Sequence, residues 1–66
     1  MLITLNGQPR EVSTGSSLAE LVAQVSDRTS GIAVAVNGEV VPRGSWPQTV
    51  LADRDRVELV TAVQGG

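Results

Sequence analysis

The sequence predicts an α+β domain in which one mixed sheet of four to five strands wraps a single helix. Three observations support this class: short runs rich in β-branched residues, two Asn-Gly dipeptides between such runs, and one helical stripe behind a capping signal. At 66 residues the chain has room for one domain with a modest core. Hydrophobic residues make up 41% and charged residues 18%, a balance typical of a chain that folds by itself.

The first elements form a predicted hairpin. The segment Leu2 to Asn6 alternates as a half-buried strand does, with Ile3 and Leu5 on one side. Asn6-Gly7 then favours a two-residue turn, because both central positions of that turn need positive φ. We expect the second strand around Arg10 to Ser13.

A helix follows this hairpin. Ser17 and Glu20 have the spacing of a capping box, in which Ser17 accepts from the Glu20 amide. Apolar residues then recur with helical spacing, which predicts one stripe lying against the sheet. The stripe consists of Leu18, Leu21, Val22 and Val25. The helix should end near Ser26 to Arg28.

The next two strands form a second predicted hairpin. Ile32 to Val36 is β-branched and too short for a helix, so it reads as an inner strand. Asn37-Gly38 supplies the turn. Glu39 to Val41 is then a short edge strand that Pro42 closes, because proline cannot donate to a ladder.

The C-terminal part completes the plan. Gly44 to Pro47 reads as a turn region, with Trp46 lying over an end of the core, and the last strand runs from about Arg56 to Ala62. The order strand, strand, helix, strand, short strand, strand is β-grasp-like. A right-handed crossover through the helix then favours parallel pairing of the first and last strands at the centre. We assign residues 1–63 to this domain and residues 64–66 to a flexible tail.

The side-chain inventory argues against an enzyme. The chain has no His, Cys or Tyr, and all five of its basic residues are Arg. General acid or base catalysis near neutral pH and thiol or amine nucleophiles are therefore excluded. The carboxylates of Asp53 and Asp55 resemble the start of a calcium loop, but no further oxygen ligands follow at alternate positions, so this segment reads as a turn. No metal site and no bound cofactor are expected.

Charge and hydropathy disfavour two classes of partner. The net charge of −2 repels phosphate backbones, and the arginines are scattered rather than gathered on one stripe, so we expect no nucleic-acid binding. No apolar run approaches the roughly 20 residues that span a bilayer, and the N-terminus lacks the features of a signal peptide. We therefore expect a cytoplasmic protein without a membrane partner.

The terminal Gly65-Gly66 pair offers a chemical function. Two residues without Cβ give a narrow backbone that can thread a partner's channel and present the Gly66 carboxylate at close range. That carboxylate is ionised and inert until another protein activates it. The alternative is a frayed C-terminus without a role.

Several segments together resemble one family. Ala35 to Arg43, Trp46, Asp55 to Val60 and the terminal Gly65-Gly66 are similar to the ThiS family, the sulfur carrier proteins of thiamine biosynthesis. The resemblance covers the whole chain and implies a ubiquitin-like β-grasp. It departs at Arg54, where the family usually has glycine.

The resemblance implies a mechanism. An adenylating enzyme would use ATP and Mg²⁺ to convert the Gly66 carboxylate to an acyl-adenylate. A sulfur-donating persulfide protein would then replace AMP and leave a thiocarboxylate, which would enter thiazole synthase and donate sulfur to the thiazole phosphate ring.

A docking surface is also expected on the open face of the sheet, beside the tail. If the large apolar residues face the helix, small apolar residues line the opposite face, and exposed patches of this kind often mark interaction sites. The candidate docking residues are Ala33, Ala35, Glu58, Val60, Ala62 and Gln64. Glu58 is placed to pair with a basic partner.

Three alternative functions stay open at this point. The first is the small sulfur-carrier subunit of molybdopterin synthase, which shares the fold, the tail and the thiocarboxylate. The second is a ubiquitin-like modifier attached to lysines. The third is an interaction module whose tail is idle, and it predicts that deleting Gly66 changes nothing.

Overall fold

A computed structural model describes residues 1–26 and 31–61 of the chain. Within these residues it contains five strands, one α-helix and one 3-10 helix. Their bounds are β1 Leu2–Leu5, β2 Gln8–Glu11, α1 Leu18–Val25, β3 Ile32–Val36, β4 Glu39–Val41, the 3-10 helix Arg43–Gln48 and β5 Arg56–Thr61.

Both Asn-Gly dipeptides form the predicted hairpin turns. Asn6 and Gly7 have φ of 51° and 80°, and Asn37 and Gly38 have φ of 52° and 86°. Positive φ at both central positions is the type I′ geometry, whose twist matches that of the flanking strands. Each turn therefore joins two antiparallel neighbours.

The second strand begins earlier than the sequence predicted. A two-residue turn pairs Leu5 directly with Gln8, so β2 occupies Gln8–Glu11 rather than Arg10 to Ser13. Val12 follows the strand and is buried, as its apolar character predicted.

Helix α1 has the predicted start and stop. The Ser17 Oγ accepts from the Glu20 amide at 3.1 Å, and the Ser17 amide donates to Glu20 Oε1 at 2.8 Å, which completes the capping box. The Ser26 amide still donates to the Val22 carbonyl, but Ser26 itself is extended and the helix ends at Val25. Its buried residues are Leu18, Leu21 and Val22.

The sheet has the predicted mixed topology, with strand order β2-β1-β5-β3-β4. The first and last strands pair in parallel next to one another, with Leu5 opposite Val57. The remaining neighbours are antiparallel. The central strand β5 pairs with β3 from Val57 to Thr61, whereas its backbone pairing with β1 is limited to Arg56 and Val57.

One face of this sheet packs on α1. Its core consists of residues from three strands and the helix, together with Val12, Trp46 and Leu51. The turn predicted at Gly44 to Pro47 is instead part of the 3-10 helix Arg43–Gln48, in which the Ser45 amide donates to the Pro42 carbonyl. The Trp46 indole Nε1 donates to the Val41 carbonyl at 2.8 Å, so the ring is buried with its polar atom satisfied.

Candidate functional site

The predicted chemical group lies outside the described residues. Gly65 and Gly66 belong to residues 62–66, as do the docking candidates Ala62 and Gln64. The described part of β5 ends at Thr61. The division of the chain at residue 63 therefore stays a prediction, and the described site is the surface that leads toward the tail.

The other four docking candidates lie together on the face of the sheet that points away from α1. Ala33 is directly opposite Val60 across the β3–β5 ladder, and Ala35 is directly opposite Glu58. Val60 is 62% exposed although it is a large apolar residue. The alternation of β3 and β5 predicted this face correctly, because neighbouring positions such as Val34 are buried on the helix side.

Val40 completes this surface, and the sequence analysis did not assign it. It pairs with Ala35 across the β3–β4 ladder and is 74% exposed. The signal that identifies it is the two-residue turn, which pairs Val36 with Glu39 and thereby sets Val40 on the open face. We call Ala33, Ala35, Val40 and Val60 the apolar patch.

The apolar patch is shallow rather than enclosed. One depression of about 210 Å³ lies over Ala33, Ala35, Val40 and Val60, with Glu58 on its margin. A second, of about 400 Å³, continues over Ala33 and Val60 toward Gly31. The patch thus reaches the end of β5 from which the tail departs, and its shape suits a protein surface better than a small molecule.

Glu58 provides charge at the margin of the patch. Among the described residues its carboxylate has no ion pair, since the ion pairs there join Met1 to Glu11 and Asp53 to Arg54. An exposed and unpaired carboxylate beside an apolar patch is available to a basic partner.

Asn6 holds the strand that leads to the tail, a role the sequence analysis missed. Its side-chain Nδ2 donates to the Leu59 carbonyl at 3.1 Å, and its Oδ1 accepts from the Leu59 amide at 2.8 Å. The asparagine amide thereby continues the β1–β5 ladder where the backbone of β1 turns away. No local sequence pattern predicts this contact, because the two residues are 53 positions apart.

The segment at Asp53 and Asp55 is a turn, as predicted. The Asp53 carboxylate accepts from the Leu2 amide at 2.9 Å, and the Asp55 carboxylate accepts from the Asn37 side chain and from the Ala52 amide. These carboxylates act as turn acceptors. Among residues 1–26 and 31–61, no group of three or more His, Cys, Asp or Glu side chains is placed to hold a metal ion.

The same part of the chain contains no helix that is long and apolar enough to cross a membrane.

Comparison with known proteins identifies the family. The model of the ThiS family matches residues 3–66. The chain belongs to the ThiS family. The match extends through Gly66, so the terminal glycine pair lies within the ThiS region. The resemblance inferred from the sequence is confirmed.

Individual ThiS relatives support the assignment. The chain is 35% identical to the sulfur carrier protein ThiS of Escherichia coli K12, and the match covers all of both chains. It is also 30% identical over all 66 residues to a thiazole synthase of Paramagnetospirillum magneticum, where the match occupies 20% of the relative's length. Membership of ThiS confirms the expectation of a small carrier rather than an enzyme.

A solved ThiS structure confirms the fold. The crystal structure of the thiamine biosynthesis protein ThiS from Geobacter metallireducens matches with a TM-score of 0.86 at 30% identity, covering all of both chains. The five-stranded mixed sheet with one helix is therefore the predicted ubiquitin-like β-grasp.

Proposed function

We propose that this ThiS chain is a sulfur carrier of thiamine biosynthesis whose carrying atom is on Gly66. The supporting observation is the full-length match to the E. coli sulfur carrier, together with a family match that extends through the last residue. The folded body then serves as the handle by which other proteins recognise and position the tail.

The activation chemistry belongs to a partner. A Gly66 carboxylate oxygen attacks the α-phosphorus of ATP, pyrophosphate leaves, and an acyl-adenylate forms. ATP is thus a substrate and Mg²⁺ a cofactor of the adenylating enzyme, and this chain supplies no catalytic group, having no His, Cys, Lys or Tyr.

Sulfur transfer follows from the acyl-adenylate. The terminal sulfur of a partner's persulfide attacks the acyl carbon and AMP leaves, and a thiol then cleaves the resulting S–S bond to release the thiocarboxylate. Because the carrier has no thiol or lysine amine of its own, it offers no competing nucleophile of these types to its activated terminus.

Thiazole synthase is the proposed acceptor of the sulfur. In the P. magneticum relative the region similar to this chain is one fifth of a protein named thiazole synthase, so carrier-like and synthase sequences occur in one polypeptide there. Two domains that work in succession benefit from such a link, because it raises their effective concentration. In this chain the apolar patch is the proposed contact surface for the separate synthase.

Intact mass spectrometry tests the carrier function. The chain is incubated with ATP, Mg²⁺, a persulfide donor and the adenylating enzyme, and we expect a mass gain equal to sulfur minus oxygen, localised to Gly66. A chain that lacks only Gly66 is the matched control, and it should keep its fold and gain nothing. A fully folded wild type that never acquires sulfur, or a truncated chain that still supports thiazole formation, would contradict the proposal.

A further inference from the structure

A polar depression lies on the open face at the opposite end of β5 from the tail. It has a volume of about 320 Å³ and is distinct from the apolar patch in its lining. We call it the saddle, and its lining residues are Thr4, Gly7, Gly38, Arg56, Val57 and Glu58.

The charged walls of the saddle are the side chains of Arg56 and Glu58, which have opposite charges and form no ion pair with each other. Arg56 and Glu58 are two positions apart on β5, so their side chains leave the sheet on the same side, about 7 Å apart at the backbone. Both residues are exposed. Within the described part of the chain, neither side chain has a hydrogen bond or an ion pair, so both charges are available to a partner.

The flanks of the saddle are bare backbone. Gly7 and Gly38 are the second residues of the two hairpin turns, with φ of 80° and 86°, and nothing lies within 4 Å of where a Cβ would be. The turns by themselves require these glycines. Their consequence here is that a segment approaching β5 meets no side chain at these two turn positions, which leaves Thr4 as the lining side chain on the β1 flank.

The saddle and the apolar patch are continuous. Glu58 lines both depressions, with the saddle on one side of it and Ala35 and Val40 on the other. A protein that covers the apolar patch therefore reaches the saddle as well. The open face thus presents one surface with an apolar part near the tail and a dipolar part away from it.

We propose that the saddle is the polar half of the docking surface for thiazole synthase, and that it receives a segment of the synthase with a carboxylate opposite Arg56 and a basic group opposite Glu58. This inference rests on the proposed function. Thiazole synthase is the proposed partner at the saddle because the P. magneticum thiazole synthase contains a region similar to this whole chain.

The saddle fixes the orientation of the bound partner relative to the sheet, which the apolar patch alone does not do. A patch of small apolar side chains allows a partner to rotate about an axis normal to the sheet, whereas two opposite charges fix one orientation. From Arg56 to Thr61 the strand spans roughly 16 Å at about 3.3 Å per residue. A rotation of the carrier relative to the synthase about the saddle would therefore displace the tail. By preventing that rotation, the charged walls direct Gly66 into the synthase.

A charge swap tests this role. The double variant Arg56→Glu, Glu58→Arg keeps the net charge of −2 and places like charges opposite the proposed partner groups. We expect its dissociation constant for thiazole synthase, measured by calorimetry with the unmodified carrier, to rise about tenfold or more. The loss should shrink as salt is added, because the interactions at the rim of an interface are screened.

A second swap provides the matched control. The variant Glu39→Arg, Arg43→Glu exchanges another exposed pair outside the saddle and also keeps the net charge. It should bind the synthase as the wild type does, and thermal unfolding should show that both double variants are folded. Wild-type affinity in the Arg56/Glu58 swap would overturn the role of the saddle and leave the carrier function standing. No binding of the wild-type carrier would overturn the role of the saddle and the choice of thiazole synthase as acceptor, whereas sulfur loading of Gly66 is tested separately by intact mass.

A chemical probe gives an independent measurement. Since the chain has no cysteine, the variant Thr4→Cys places a single thiol in the saddle, and Gln48→Cys places one on the exposed 3-10 helix. We expect excess thiazole synthase to slow alkylation of the thiol at position 4 about tenfold and to leave position 48 unchanged. Equal alkylation rates at position 4 with and without the synthase would overturn the proposal.

Discussion

Arg54 has a backbone conformation that an L-residue with a long side chain rarely adopts. Its φ is 71°, and its amide donates to the Leu2 carbonyl, so the turn before β5 holds it there. Asn6 and Asn37 also have positive φ, but asparagine tolerates that region, whereas arginine has a cost of about 1 to 2 kcal/mol. The family usually has glycine at this position, which suits a positive φ.

Replacing Arg54 by glycine should therefore stabilise the protein. Relief of the strain outweighs the greater entropy of glycine in the unfolded chain, so the variant Arg54→Gly should gain about 0.5 to 1 kcal/mol. The side chain is 88% exposed and its ion pair with Asp53 is 3.7 Å long, so little is lost with it. The midpoint of urea unfolding measures the gain.

Alanine at the same position separates strain from side-chain effects. The variant Arg54→Ala also removes the guanidinium but keeps a Cβ in the left-handed region, so it should not share the gain. If alanine stabilises the protein as much as glycine does, the cause is the lost charge and not the backbone.

Asn6 should contribute to stability through its side chain as well as its turn. The variant Asn6→Gly keeps the positive φ but removes both hydrogen bonds to Leu59, and we expect a loss of about 1 to 2 kcal/mol in the free energy of unfolding. Asn6→Asp keeps the acceptor for the Leu59 amide but sets a carboxylate oxygen against the Leu59 carbonyl, so it should also be less stable than the wild type. A glycine variant as stable as the wild type would show that this side chain does not hold β5.

At the scale of elements, local chemistry decided most of the fold. The two Asn-Gly turns define four strands, and the capping box defines the start of α1, because each feature needs only a few neighbouring residues. The errors arose where the local signal was weak. The start of β2 depends on the length of the turn, and a two-residue turn places it at Gln8. The 3-10 helix at Arg43–Gln48 has no periodicity that distinguishes it from a turn.

The capping box offers a test at this scale. Helix α1 has only eight residues, so an unsatisfied amide in its first turn affects a large part of it. The variant Ser17→Ala should lower the free energy of unfolding by about 1 kcal/mol. Ser17→Asp keeps an acceptor and should lose less, and Ser13→Ala in the preceding exposed segment is the control and should change little. A loss in the control equal to that of Ser17→Ala would contradict the capping account.

At the scale of the whole molecule, the sheet divides its two faces between stability and recognition. The helix covers one face and forms the core, whereas the other face keeps the apolar patch and the saddle exposed. The sequence predicted the small residues of the patch from alternation alone. It could not predict that Val40 joins them, that Asn6 bonds to Leu59 or that two turns flank the saddle, because these depend on strands distant in the chain meeting in one sheet.

Val60 and Val50 form a matched pair that tests this division. Both are valines, 62% and 63% exposed, but Val60 lies in the apolar patch and Val50 forms an isolated bridge to Ser17 near the start of α1. The variant Val60→Glu should therefore weaken binding to thiazole synthase about tenfold or more, while Val50→Glu should leave it unchanged. Both variants should unfold within about 0.5 kcal/mol of the wild type, because neither side chain is in the core. Calorimetric titration with the synthase and urea unfolding measure the two effects, and equal binding by both variants would exclude the open face as the docking surface.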